Sequence, residues 1–322
     1  PINLFTNLFM SATQNPSEQL LTALRQLGGH ASSPQLQERL SVSQATASRA
    51  LNALAAWRFT AARHHVVPAP PVPALVAWTL PGAPALRGWS TAAPATRAVV
   101  VFAHGVRNDR SLGLVLAEPL ARRHMRLVTF DFRGHGESGG DRVTFGATER
   151  HDVARVLAHA RREGLPVAWV GFSMGAVAYL LSGVEADAAV LDSPYAELDR
   201  GLRSCFGRRT VTLLALGEAL LRIPLGAATR DIRPVDRAAS LTRPTRFVFA
   251  ERDHWVPPDA QARYRAAASA RCEFVLLRGA PHGGHLTPAW AEDVAAYLDR
   301  ALPTAAAAAG GGPPPAAPPP RR

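Results

Sequence analysis

Lysine is absent from the 322 residues, and cysteine, methionine and tyrosine are scarce at 2, 3 and 4. Without lysine, all 36 basic residues are arginine, and against 25 acidic residues they leave a formal net charge of +11. Such a charge points first to an acidic partner such as nucleic acid. The arginines are scattered, apart from short pairs such as Arg122–Arg123 and Arg208–Arg209, so charge alone marks no binding face. The two cysteines, Cys205 and Cys272, stand far apart in no paired motif. That excludes a disulfide framework and a cysteine-rich metal site, and the expectation is a reducing, cytoplasmic setting with no metal. Long hydrophobic runs are missing too. The longest apolar stretch, 211–228, is interrupted by Glu218 and Arg222, so it reads as an amphipathic or buried helix and no membrane span is expected. The first ten residues are apolar but carry no basic flank, and no signal peptide is expected.

What is present is apolar and ordered: hydrophobic residues make up 47% of the chain, enough to bury a sizeable core. Four zones follow one another. Residues 15–62 read as a helical module. Residues 63–74 form a linker whose four prolines (Pro68, Pro70, Pro71, Pro73) exclude helix. Residues 75–302 alternate short apolar runs with helical patterns. Residues 303–322, almost entirely Ala, Gly and Pro, cannot bury a core and are expected to be disordered. In the third zone, apolar runs at 98–103, 127–131, 167–170, 188–191, 247–250 and 274–277 are spaced by helical patterns at 112–123, 147–162, 174–182, 259–269 and 288–301. Strands apolar on both faces and joined by helices predict an α/β fold, a mostly parallel sheet covered on both sides. In such sheets reactive groups sit just past the carboxyl ends of strands.

Gly171-Phe-Ser173-Met-Gly175 occupies one such end. A sharp strand-to-helix turn needs close backbone approach on either side of the serine, which glycine allows. The following helix N-terminus favours the developing negative charge. Ser173 is therefore the candidate nucleophile. A serine hydroxyl needs a base, and the base an orienting acid. His282 follows the run 274–277 and Asp253 follows 247–250, giving the order Ser, Asp, His. His285 is the alternative base and Asp192 the runner-up acid. The oxyanion donors expected are the backbone N–H groups of Met174, next to the nucleophile, and of Val106, on the loop after 98–103. A rival motif, Gly134-His-Gly136-Glu-Ser-Gly139, matches a dinucleotide-binding loop, but no helical run opens at it, and no cofactor is expected.

Taken in order, Val101-Phe-Ala-His-Gly105, Asp131-Phe-Arg-Gly-His-Gly-Glu-Ser138, Gly171-Phe-Ser-Met-Gly175 and Asp192-Ser-Pro-Tyr195 resemble the α/β-hydrolase-fold serine hydrolases, in their esterase and serine-aminopeptidase-like branch. The resemblance implies a Ser–His–Asp triad, no cofactor, and a structural role for Asp131 and Arg133. The insertion at 196–240 carries an apolar stripe (Leu213, Leu214, Leu216, Leu220, Leu221, Ile223) that reads either as a cap over the site or as core packing. In the N-terminal module, helices at 16–27, 34–40 and 44–55 surround the tight connection Ser41-Val-Ser43, and 33–51 resembles winged helix-turn-helix regulators. Gln44, Thr46, Ser48 and Arg49 would then face the DNA groove. No wing follows before the prolines, so a packing or dimerisation module is the other reading.

The expected function is hydrolysis of a small-molecule carboxylic ester. The alternatives are an aminopeptidase or thioesterase acting on an amide or thioester with the same triad, and a DNA-binding regulator whose hydrolase-fold domain senses a ligand.

Overall fold

The computed structural model describes residues 62–64, 75–92, 95–202 and 229–303. The helix-turn-helix reading, including Gln44, Thr46, Ser48 and Arg49, lies outside the described residues. So do most of the proline-rich linker, the leucine stripe of the insertion, and all but the first residue of the C-terminal tail.

Eight strands form one sheet: β1 (Leu75–Leu80), β2 (Leu86–Thr91), β3 (Ala98–Ala103), β4 (Met125–Phe130), β5 (Val167–Phe172), β6 (Ala188–Asp192), β7 (Thr245–Arg252) and β8 (Cys272–Pro281). Their spatial order is β8-β7-β6-β5-β3-β4-β2-β1. The pairs from β8 through β4 are parallel. β2 pairs antiparallel with both β4 and β1, so the sheet is mixed at that edge. This hairpin lies ahead of the strands expected from the sequence, which begin at residue 98. The signal was there: two six-residue runs flank the Pro81-Gly82 turn.

Side-chain alternation along each buried strand feeds two separate cores. From β3, Val99, Val101 and Ala103 face one side with Val153 and Val156 of α2 (Arg150–Ala160) and Tyr179 of α3 (Met174–Ser182). Ala98, Val100 and Phe102 face the other, against Val294 and Leu298 of α5 (Pro288–Ala301) and Leu120 of α1 (Ala117–Ala121). This is why the strands read as continuous apolar runs rather than alternating ones. Trp169 of β5 is fully buried beneath Tyr179. Truncating it to Ala would cost about 3–5 kcal/mol, the sum of lost transfer energy and a cavity. A fourth helix, α4 (Ala260–Ala267), packs Tyr264 on Phe247 of β7.

The predicted helix at 112–123 divides in two: residues Arg110–Leu116 form a 3₁₀ segment before the short α1. Gly113 faces the Phe102 ring, where a Cβ would stand 2.4 Å from a ring carbon, so the tighter winding lets the chain pass close to β3. The segment Gly134–Gly139 opens no helix, and the next one starts only at Arg150. Within this stretch Asp131 is fully buried and accepts from Arg110 at 2.7 Å, while Arg133 grips Asp152 through two nitrogens at 2.7 and 2.9 Å. The first linker residues, Arg63 and His64, pair in parallel with His135 and Gly136.

Candidate active site

β5 ends at Phe172 and α3 starts at Met174, so Ser173 alone makes the turn, with φ 51° and ψ −111°. This backbone conformation costs a non-glycine residue on the order of 1–3 kcal/mol and persists only where the surroundings impose it. Here the Ser173 N–H donates to the Asp192 carbonyl at 2.8 Å, and its own carbonyl accepts from the N–H groups of Ala176 and Val177 at 3.1 Å. The flanking glycines are required by contact. A Cβ on Gly175 would sit 2.2 Å from the Ala103 carbonyl oxygen, and one on Gly171 would sit 2.6 Å from the Ala176 nitrogen.

The candidate base comes from the loop after β8. His282 Nε2 lies 3.2 Å from Ser173 Oγ, and its Nδ1 lies 2.6 Å from Asp253 Oδ2. Asp253 stands just past β7, where its other oxygen accepts from the Trp255 and Val256 N–H groups at 2.8 and 2.9 Å. Burial alone would push the Asp253 carboxyl up. The hydrogen bond and charge of His282 and the two backbone N–H groups outweigh it and hold the group below its ordinary range. Asp253 is thus kept as a carboxylate that fixes the imidazole. Phe172 and Trp255 flank the ring, with centroids 5.0 and 6.3 Å away.

The alternative base and the runner-up acid are also brought together, but with each other. His285 Nε2 sits 2.9 and 3.0 Å from the two oxygens of Asp192, and its Nδ1 faces the Pro281 carbonyl at 3.3 Å. Trp290 Nε1 and Ser193 Oγ donate to the same carboxylate at 3.0 and 2.9 Å. Asp192 is fully buried. Burial opposes protonation of His285, but the hydrogen bond and charge of Asp192, with the Pro281 carbonyl, prevail and raise its pKa above the ordinary value. Both His285 nitrogens are therefore occupied, and neither faces Ser173.

Beside Ser173 lies a cavity of about 330 Å³. Val106 and Met174, the expected oxyanion donors, both line it, as do Phe145, Tyr195, Leu198 and Trp255. Leu198 and Leu202, at the start of the insertion, and Ile232, near its end, pack on Phe145 and Ala147. The described flanks of the insertion therefore wall the pocket. The sequence reading did not single out Tyr195 or Phe145. The Tyr195 hydroxyl donates to the Phe145 carbonyl at 2.5 Å, holding the two walls together. Tyr195 stood within the quoted Asp192-Ser-Pro-Tyr195 motif, whereas nothing local marked Phe145. Among the described residues, no group of three His, Cys, Asp or Glu side chains converges to hold a metal, and no helix is long and apolar enough to cross a membrane.

Residues 94–223 match the family model described as serine aminopeptidase, S33. The chain is 24% identical over 207 residues to the uncharacterized protein YqkD of Bacillus subtilis (strain 168), an alignment covering 60% of this chain and 68% of that one. Among solved structures, the Pyrococcus furiosus esterase Pf2001 superposes with a TM-score of 0.60 at 22% identity, covering 76% of this chain and 99% of that one. Est1E from Butyrivibrio proteoclasticus, solved with ferulic acid bound, gives 0.57 at 18% identity over 68% of this chain and 96% of that one. Together with the strand order and the turn at Ser173, these likenesses make the chain an α/β-hydrolase by fold.

Proposed function

We propose that the chain is a serine hydrolase that cleaves carboxylic esters through an acyl-enzyme intermediate. The observation that carries this reading is the continuous chain Asp253–His282–Ser173, with contacts of 2.6 and 3.2 Å, opening on an apolar pocket. Ser173 Oγ attacks the ester carbonyl as its proton passes to His282 Nε2. The tetrahedral oxyanion is received by the N–H groups of Met174 and Val106. His282 then returns the proton to the departing alcohol, leaving Ser173 acylated. A water molecule, deprotonated by the same nitrogen, attacks the acyl carbon, and Ser173 regains its proton as the acid leaves. Asp253 holds the ring tautomer with Nδ1–H and stabilises the imidazolium without itself taking the proton.

The cavity also bears on the aminopeptidase alternative. Binding a free α-ammonium group calls for a carboxylate in the pocket. Among its described lining residues there is no Asp or Glu, and the fixed charge there, Arg107, has the opposite sign. A fluorophosphonate probe tests the reading: it should label the wild type, and Ser173→Ala should abolish labelling. Turnover of short- and medium-chain nitrophenyl esters, set against thioesters and aminoacyl amides, should be fastest on the oxygen esters. Labelling of the Ser173→Ala protein at another serine would refute the assignment.

A further inference from the structure

The pocket carries a charge that the hydrolytic steps leave unused. Arg107 lines the cavity on the loop after β3, one residue beyond Val106. Its φ of 69° lies in the left-handed region, which costs an ordinary residue on the order of 1–2 kcal/mol. Arg107 has no hydrogen bond or ion pair among the described residues. Several buried or half-buried arginines elsewhere are matched: Arg110 to Asp131 and Glu137, Arg133 to Asp152, Arg263 to Glu197. A second guanidinium, Arg63, is near enough to feel it. The Arg63 pKa is lowered, first by burial and then by the charge of Arg107. Asn108 lines the same wall and adds an amide donor. The rest of the lining is mainly apolar, with Leu112, Leu198 and Trp255 among it. A guanidinium with no partner among the described residues, on an otherwise mainly apolar cavity with no Asp or Glu among its described lining residues, forms a site short of one anion.

We propose that Arg107 receives a carboxylate carried by the substrate, so that the preferred esters are mono-acids: half-esters of dicarboxylic acids, or esters of acid-bearing alcohols. This inference rests on the ester-hydrolase reading above. A guanidinium presents parallel N–H groups that match both oxygens of a carboxylate, and one lining cation with one amide suits a single negative charge better than a phosphate dianion. The carboxylate takes no part in bond making. It docks the substrate with its carbonyl over Ser173, a positioning effect that appears in kcat/KM for charged esters.

Two substrate pairs test the proposal on either side of the ester. para-Nitrophenyl hydrogen glutarate against para-nitrophenyl pentanoate places the charge on the acyl side. para-Acetoxybenzoate against para-acetoxybenzamide places it on the alcohol side. In at least one pair, Arg107→Gln should lower the charged-to-neutral ratio of kcat/KM about tenfold, the scale of one charge-assisted contact. Arg107→Lys should restore part of it, and added salt should shrink the wild-type preference. An unchanged ratio in both pairs overturns the proposal. Binding separates its failure from failure of the hydrolase reading. The Ser173→Ala protein, titrated with the same esters, should bind the charged member more tightly, and Arg107→Gln in that background should erase the difference. Charge-selective binding without turnover in the wild type would keep Arg107 and refute ester hydrolysis. Turnover without charge-selective binding would do the reverse.

Discussion

Two aspartate–histidine pairs lie at the carboxyl end of this sheet, their histidines three residues apart, and only one of them reaches a serine. Asp253–His282 opens on the pocket, and its imidazole has one nitrogen on the acid and the other on Ser173. Asp192–His285 lies deeper: the carboxylate is fully buried and takes three donors, and the second imidazole nitrogen is spent on the Pro281 carbonyl. The difference teaches that a candidate base is marked by a nitrogen left free to face the candidate nucleophile, rather than by its residue type or distance in sequence. Because His285 closes back onto the carbonyl of the residue before His282, the buried pair braces the loop that carries the exposed one.

Exchanging the roles gives the largest expected effects. His282→Ala should lower kcat by roughly 10³-fold or more on a nitrophenyl ester, while His285→Ala should cost far less. The reverse ranking would put the base at His285 and undo the comparison. Asp253→Asn should lower kcat by roughly 10³- to 10⁴-fold with the fold intact, because the ring loses the acceptor that sets its tautomer. Circular dichroism alongside the kinetics separates that loss from unfolding. Asp192→Asn should act mainly on stability. Removing one member of a buried pair costs about 3–5 kcal/mol, read as a lower midpoint of denaturant unfolding.

The pH dependence sharpens the contrast. His285 is raised in the folded state, so its protonated form adds stability that is complete below about pH 6.5, the unfolded value. That stability drains away as pH rises through the folded pKa. Unfolding midpoints measured from pH 6 to pH 9 should therefore fall, and His285→Gln should flatten the slope. A slope unchanged by the substitution would mean that His285 gains no proton on folding. The smallest effect is expected from Trp290→Phe, which removes one donor to Asp192 and should cost about 1–3 kcal/mol with little change in kcat.

Much of the frame was legible because it depends on local pattern. The apolar run at 98–103 and the helical patterns at 174–182 and 288–301 coincide with β3, α3 and α5. Strands buried on both faces leave that signal whatever their neighbours are. The turn at Ser173 was legible because glycine spacing is a steric requirement. Less legible was everything that depends on which strand lies beside which. The β1–β2 hairpin sits at an edge, where Val76 is 56% exposed, and its pattern is diluted. The pairing of His285 with Asp192 joins residues 93 positions apart through the β6–β7–β8 order. Spacing paired Asp253 with His282 but offered His285 and Asp192 only as their alternatives, not as partners of each other. The pocket walls escaped notice for the same reason, since Phe145 and Tyr195 meet only in the folded chain.

The Ser173–His282 contact closes a span of 109 residues, whereas Asp253 and His282 are 29 apart. In kinetic terms the acid–base half can assemble early from adjacent parallel strands, while the bond to the nucleophile belongs to the slow, non-local part of the search. During refolding from denaturant, the regain of the proposed ester turnover should trail the recovery of far-ultraviolet dichroism. The chain would then report the docking of its own last third against its middle, timed by the activity proposed for it.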